Sequence, residues 1–404
     1  MAGVVAVGVG VVFGCSPAPR ASVDGANVTA APTDSPTPGD PVASSAVLAA
    51  DGTTFASTLP AGNVYAATGV GQLSPAVAGA KRLVYVPSND DGTVAVIDQA
   101  TRIEIARYKV GAEVQHVVPS RDLTRLYANA SGANQLVPFD PATGMPGRPI
   151  PVDAPYNLYF TPDGTRAVVM AERRRRIDYY DPVTWQLVKS LPVPCRGVNH
   201  ADWSADLSYF IATCEFSGQL LKLDTATGDL LATVALQKGA MPQDIRLSPD
   251  GSKFYVADMM NGGLWTVDGV SFTVTGFIAT GSGAHGIYPS RDATRLYISN
   301  RGRAGGSTTR RSQPGEGSVS VLDPATDQVV ATWTIPGGGS PDMGGVTDDG
   351  TELWLSGRYD AVVYVFNTAT GKLKVRIPTV RAPHGLAVFP QPGRYSLGHT
   401  GNYR

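Results

Sequence analysis

The chain is poor in charge and in cysteine, and it has no long apolar run. Asp, Glu, Lys and Arg make up 17% of its 404 residues, against about 25% in an average soluble domain. The signs nearly cancel, to a formal net charge of −1, which argues against a nucleic-acid binder that works through overall positive charge. Three cysteines are too few for a disulfide scaffold. No apolar stretch reaches the ~18 residues of a spanning helix. Cys-x-x-Cys-His, Gly-x-Ser-x-Gly and the phosphate-binding glycine loop are all missing. Covalently attached haem, a serine hydrolase and a nucleotide enzyme are disfavoured accordingly. What the chain has in quantity is turn chemistry, with 46 glycines and 31 prolines beside 43% hydrophobic residues. That combination reads as globular, turn-rich and all-β.

Residues 4–13 form a short apolar run that ends in Val12-Phe13-Gly14-Cys15. About ten apolar residues before a small residue read as a signal peptide rather than a membrane span. The Gly-Cys pair resembles a bacterial lipobox, which implies lipidation of Cys15; the alternative is an ordinary secretory signal. Either places the protein outside the cytoplasm, lipid-anchored to the bacterial cell membrane or secreted. Residues 16–60 are rich in Ala, Pro, Ser, Thr, Gly and Asp. They cannot bury enough apolar surface to offset chain entropy and read as a flexible tether.

From residue 61 to 404 a repeat organises the chain. A tetrad recurs as Asp98-Gln99-Ala100-Thr101, Asp140-Pro141-Ala142-Thr143, Asp181-Pro182-Val183-Thr184, Asp224-Thr225-Ala226-Thr227, Asp268-Gly269-Val270-Ser271, Asp323-Pro324-Ala325-Thr326 and Asn367-Thr368-Ala369-Thr370. The spacings are 42, 41, 43, 44, 55 and 44 residues. Alternating runs such as 93–97 and 103–107 flank each tetrad and make it the turn of a hairpin. A second turn recurs as Ser248-Pro249-Asp250-Gly251 and Thr161-Pro162-Asp163-Gly164. Four antiparallel strands per ~42 residues is the signature of a propeller blade, so the expected fold is a seven-bladed β-propeller. The inner strand of blade one is supplied either by residues 385–389 or by residues 70–73.

The segments Leu83-Val84-Tyr85-Val86-Pro87-Ser88-Asn89, Leu296-Tyr297-Ile298-Ser299-Asn300 and Gly317-Ser318-Val319-Ser320-Val321-Leu322-Asp323 resemble the YVTN-repeat propellers of the YncE-like kind. Such propellers are similar to the haem-binding propeller of periplasmic nitrite reductase and to lactonase propellers. The resemblance implies the fold; propellers carry many unrelated activities.

Aligning the repeats puts His384, His116, Asn157, His200, Asp244, His285 and Asp342 in equivalent places at the start of the inner strands. Four of the chain's five histidines thus face the mouth of the central channel. These side chains either hydrogen-bond neighbouring turns and seal the channel, or bind something. His, Asp and Asn suit a divalent metal, with His200, His285 and His384 as candidate ligands, and a hub histidine suits a tetrapyrrole. The fifth histidine, His399, has no assigned side of the ring. Loops on the same face carry Arg174 within Arg173-Arg174-Arg175-Arg176, Arg303, Arg310, Arg311 and Arg358, with Arg196 and Arg381 beside His200 and His384. Planar guanidinium groups suit carboxylates and phosphates, hence a small anionic ligand or an envelope partner. Cys195 and Cys214 end adjacent antiparallel strands and are expected to form a disulfide; a thiolate metal site with His200 is the alternative.

A monomeric binding protein is favoured over an enzyme. Lactonase-like hydrolysis on a hub metal, cofactor-dependent redox chemistry and a purely structural envelope role are the alternatives.

Overall fold

The computed structural model describes residues 62–302, 317–399 and 401–404, together with the backbone of two short strands, Val47–Leu48 and Thr54–Phe55. The stretch read as a signal peptide with Cys15, most of the stretch read as a tether, and Arg303, Arg310 and Arg311 lie outside the described residues. Within that tether stretch the two short strands pair antiparallel.

Seven antiparallel sheets follow one another around a ring. Their inner strands are Ala387–Phe389 for blade one, then Val114–Pro119, Asn157–Phe160, Val198–Trp203, Pro242–Leu247, Ala284–Pro289 and Pro341–Val346 for blades two to seven. Six blades have four strands. In blade two the outer strand is broken into Met145–Pro146 and Ile150–Pro151. Three prolines between 146 and 151 remove the N–H groups a continuous strand would need.

The hairpin turns follow from the tetrads. The first side chain of each accepts a backbone N–H two or three residues on, as in Thr101 to Asp98 at 2.7 Å, Ala142 to Asp140 at 2.9 Å and Thr370 to Asn367 at 2.8 Å. This local bond draws the backbone into a turn and away from the ladder. A second device marks the turn after each inner strand of blades two to seven. A Ser or Thr hydroxyl donates to an Asp two residues on, as in Ser120 to Asp122 at 2.6 Å and Thr347 to Asp349 at 2.6 Å.

Each blade is too thin to hold a core of its own, so the apolar side chains sit between blades. One cluster fills each of the gaps around the ring: Tyr85, Val96, Val117 and Phe139 join blades one and two, and Trp203, Phe210, Tyr159 and Met170 join blades three and four. Stacked repeats of this kind add stability neighbour by neighbour. This is why 404 residues need no second domain core.

Ring closure comes from the far end of the chain. Leu83 pairs with Phe389, Val84 with Val388 and Tyr85 with Ala387. The Gln99 side chain clamps the seam by donating to the carbonyls of Leu83 at 3.0 Å and Phe389 at 2.8 Å. The closing strand is shorter than the 385–389 stretch because Gly385 is bridged instead to His116 of blade two. Residues 70–73 lie beside the segment beyond the closing strand, where Leu73 bridges Pro392. Closing the sheet leaves no inner edge for another strand to join.

Phe389 is fully buried in the seam between blades one and two. Phe389→Ala is expected to lower the unfolding free energy by about 3–5 kcal/mol, read from the denaturant midpoint. A loss below about 1 kcal/mol would mean that the seam does not hold the ring.

Candidate functional site

The residues that meet on the ring axis are placed there by a repeated irregularity. In blades two, four, five, six and seven the pairing of the inner strand with its neighbour skips two residues. The skipped pairs are Gln115 and His116, Asn199 and His200, Gln243 and Asp244, His285 and Gly286, and Asp342 and Met343. A bulge takes two residues out of the ladder and re-aims their side chains. All five polar members of the expected ring in those blades lie in such a bulge.

The expected equivalence of the seven positions is corrected by the register. Counted back from the last paired residue of each inner strand, His116, Asn157, His200 and Asp244 lie three residues before Pro119, Phe160, Trp203 and Leu247. His285 and Asp342 lie four before Pro289 and Val346, and His384 five before Phe389. The bulge can present either of its two residues, so the polar groups form a stack of three heights. They also sit inside the channel rather than at an open mouth, since none exposes more than 2% of its surface.

All five histidines gather in this stack. His116 has ring centroids of His384, His399 and His200 at 4.8, 5.0 and 5.5 Å. His200 lies 4.9 Å from His399 and 6.2 Å from His285, and His285 lies 5.5 Å from His384. The nitrogens that converge most tightly belong to His116, His200 and His399, one from each within 4.8 Å of the others. Of the three histidines expected as ligands, only His200 is in that set. His384 and His285 turn towards Asp342. Its carboxylate accepts from Nδ1 of His384 at 2.8 Å and from Nε of Arg301 at 2.8 Å, and lies 3.0 Å from Nδ1 of His285 without hydrogen-bond geometry. Nε2 of His384 is 3.3 Å from the Tyr156 hydroxyl.

His399 arrives on the segment after the closing strand, a signal the repeat could not supply. Nδ1 faces the Asn157 amide at 3.0 Å and Nε2 faces Asp244 at 3.5 Å. Asp244 is itself held by Arg246 at 3.3 Å and by the N–H groups of Ile245 and Ile287. His116 and His200 contrast with these. Both nitrogens of both rings are buried with no hydrogen-bond partner among the described residues. A buried polar atom left unpaired costs about 1–3 kcal/mol, so two whole imidazoles in this state mark a place built for something other than folding. Gly385 also belongs to the site. A β-carbon there would lie 1.9 Å from Nδ1 of His116, so only glycine lets that ring take its place.

Burial holds the imidazoles neutral. It pushes His116, His200 and His285 well below the usual 6.5, helped by His384 in all three, by His399 for His116 and His200, and before these by Arg301 for His285. His384 falls to about 4 through burial in spite of Asp342. His399 is lowered by burial against the pull of Asp244. Burial pushes the Asp342 carboxyl up, but Arg301, His285 and His384 outweigh it and leave it well below the usual carboxylate range. In the turn at Glu172–Arg174 of blade three, burial and Glu215 push Glu172 up to about 8.

Among the described residues, Arg174, Arg196 and Arg381 find their partners away from this stack, while Arg358 lies near enough to His384 to disfavour its protonation. Arg174 pairs with Asp153 at 3.0 Å and Arg381 with Asp91 at 2.7 Å, both with side chains at least half exposed. Arg196 donates to the carbonyl of Phe216, and Arg358 to that of Ala382. Two guanidinium groups that the sequence pattern did not single out reach the stack, Arg301 at Asp342 and Arg246 at Asp244. Cys195 and Cys214 are joined in a disulfide that fastens the entry of blade four's inner strand to its neighbour. Neither sulfur is therefore a thiolate ligand beside His200.

The family description "YNCE-like beta-propeller" matches residues 42–394. No curated protein matches the sequence. Among solved structures the chain is similar to a functionally unknown protein from Desulfotomaculum acetoxidans, at TM-score 0.61 and 15% identity over 76% of this chain and 99% of that one. It is similar to a putative 6-phosphogluconolactonase from Bacteroides uniformis, at TM-score 0.58 and 18% identity over 75% and 98%. It is also similar to the dihydro-heme d1 dehydrogenase NirN in complex with DHE, at TM-score 0.55 and 14% identity over 76% and 74%. Identities this low speak for the fold alone.

Two outcomes follow for the site. Below pH 6.5 the unfolded chain binds protons that the buried imidazoles refuse, so stability falls with falling pH. In metal-free protein the unfolding free energy should drop between pH 6.5 and about 4, by up to about 1.4 kcal/mol per pH unit for each histidine still neutral. Denaturation curves that coincide at pH 7 and 4.5 would contradict this. Gly385→Ala should displace His116 and shift its imidazole NMR signals while leaving those of the Trp265 indole in blade five unchanged.

Proposed function

The chain belongs to the YNCE-like β-propeller family, and on that premise we propose that it is an extracytoplasmic binding protein whose hub takes up one transition-metal ion on imidazole nitrogen. One observation carries this reading: among the described residues the four ring nitrogens of buried His116 and His200 are unpartnered, and a nitrogen of a third histidine, His399, lies within 4.8 Å of one nitrogen of each. A metal ion supplies the partner that burial denies them. The neutral imidazole is the form that ligates, so the lowered proton affinities leave the site ready at neutral pH.

The donor set selects the class of ion. Three imidazoles suit copper, zinc or nickel and do not suit magnesium or calcium, which prefer oxygen. Asp244 behind His399 and Asp342 behind His384 are the carboxylates that orient ring nitrogens around such ions. Ring centroids 4.8–6.2 Å apart leave room for an ion between the rings and not for a planar macrocycle, which weighs against a tetrapyrrole here. Complete burial of the set favours holding an ion over turning over a substrate, and so favours binding over lactonase-like hydrolysis. The Gly14-Cys15 pair and the disulfide support a place outside the cytoplasm, with Cys15 as lipid anchor.

Elemental mass spectrometry of the natively purified protein, with titration of metal-free protein by zinc(II) and copper(II), tests the reading. The expected result is about one ion per chain and at least a 100-fold loss of affinity in the double variant His116→Gln, His200→Gln. Wild-type protein that takes up neither ion at micromolar concentration, or a folded double variant that binds as tightly as wild type, would overturn it.

A further inference from the structure

The ring is complete at Phe389, yet the chain does not leave the molecule there. It turns back into the channel from the end at which the inner strands finish. Ser396 bonds to the Arg121 carbonyl in the turn of blade two. Phe160 donates to the Leu397 carbonyl at 3.0 Å, and His399 donates to that of Leu158 at 3.0 Å. Gly398 lies so close to Tyr159 that a β-carbon would fall 2.4 Å from the tyrosine Cα. Leu397 and Asn402 close a tight loop, with the Leu397 N–H donating to the Asn402 carbonyl at 2.7 Å. Gly398 at φ +98° and Gly401 at φ +109° supply backbone angles that other residues avoid. The imidazole of His399 is carried on this loop into the hub.

We infer that residues 390–399 and 401–404 act as a ligand-bearing stopper: the segment delivers His399 to the metal, so seating of the segment and uptake of the ion are coupled. The inference rests on the metal reading of the hub. Two features of the segment support it.

The first is that it is not a strand of the ring it fills. No blade's sheet includes it, and its backbone meets the inner strand of blade three in one isolated bridge, Gly398 to Tyr159. Its side-chain anchors include Gln391, which donates to the Val346 carbonyl at 3.0 Å, Asn402, which donates to the Ala201 carbonyl at 2.9 Å, and Arg404, which pairs with Asp202 at 2.8 Å, while Tyr395, Leu397 and Tyr403 pack into the apolar gaps between blades. The anchorage is incomplete. Oδ1 of Asn402 and Nε of Arg404 are buried without partners, and the Arg404 guanidinium is nearly fully buried. Unpaired buried groups and a desolvated ion pair offset what seating gains.

The second is the chemistry of the ligand it carries. With Nε2–H of His399 directed at Asp244, Nδ1 is the ligating atom and the Asn157 amide is its present partner. That amide also donates to the Tyr159 hydroxyl at 3.2 Å, so it keeps an acceptor when Nδ1 turns to a metal. An ion that binds only the seated form at 100 times its dissociation constant raises the seated-to-unseated ratio about 100-fold.

Hydrogen exchange at the amides of Leu397, His399 and Arg404, with and without zinc(II) at saturating concentration, reads seating directly. In wild type the ion should slow exchange there about 100-fold and leave the blade-five ladder unchanged. His399→Gln should abolish this slowing and weaken zinc binding at least tenfold. Asn402→Ala removes an anchor and no ligand. It should speed exchange in the metal-free protein and weaken zinc binding about 2- to 10-fold. Zinc that binds wild type without slowing exchange, or binds His399→Gln as tightly as wild type, would overturn the stopper and leave the hub reading intact. Wild type that binds no zinc or copper would overturn both.

Discussion

The structure turns on one constraint: seven inner strands converge on an axis where polar side chains have no solvent to satisfy them. Most of them are satisfied by each other. Asp342 is matched by Arg301 and His384, Asp244 by Arg246 and backbone N–H groups, and Asp202 by Arg404. Each buried carboxylate thus has a cation and at least one further donor, the condition under which such pairs persist in a protein interior. What these pairings leave over is specific. Among the described residues it includes the imidazoles of His116 and His200, each with both nitrogens unpartnered, and the rings of His384 and His399 lie 4.8 and 5.0 Å from that of His116.

The ring makes this arrangement possible by separating two tasks. Stability lies in the apolar gaps between blades and in the seam at Ala387–Phe389. The axis is then available for side chains that add little to stability. The bulges are the link between the two tasks. They interrupt each inner ladder for two residues at the height where the hub needs donors, while pairing resumes on either side. Gly385 serves the same end by a different route, as the seam strand gives way to a close approach by His116.

The sequence made the architecture legible and the centre only in part. The Asp tetrads report a local turn bond, so their spacing marks the blades without reference to anything distant. The histidines on the inner strands were visible because they recur at multiples of the repeat. Their heights were not, because a bulge depends on pairing between strands and leaves no mark in the residue pattern. His399 lies beyond the last repeat, and its place depends on a segment that folds back through the ring. The arginines illustrate the opposite difficulty. Arg174 and Arg381 stand near the hub in the repeat, yet Asp153 and Asp91 claim them, and neither acid is adjacent to its partner in sequence. Arg301 became a hub residue through Asp342, 41 positions away.

Propellers carry unrelated activities on one frame, so the family alone does not decide what this one does. The hub does, if its unpartnered nitrogens are ligands. The most direct measurement is an anomalous-scattering map from crystals of natively purified protein, collected on both sides of the zinc and copper absorption edges. One peak is expected among His116, His200 and His399, at about 2.0–2.1 Å from their nitrogens if the ion is zinc. A map with no anomalous peak on the axis, and imidazoles bridged instead by water or by each other, would contradict it.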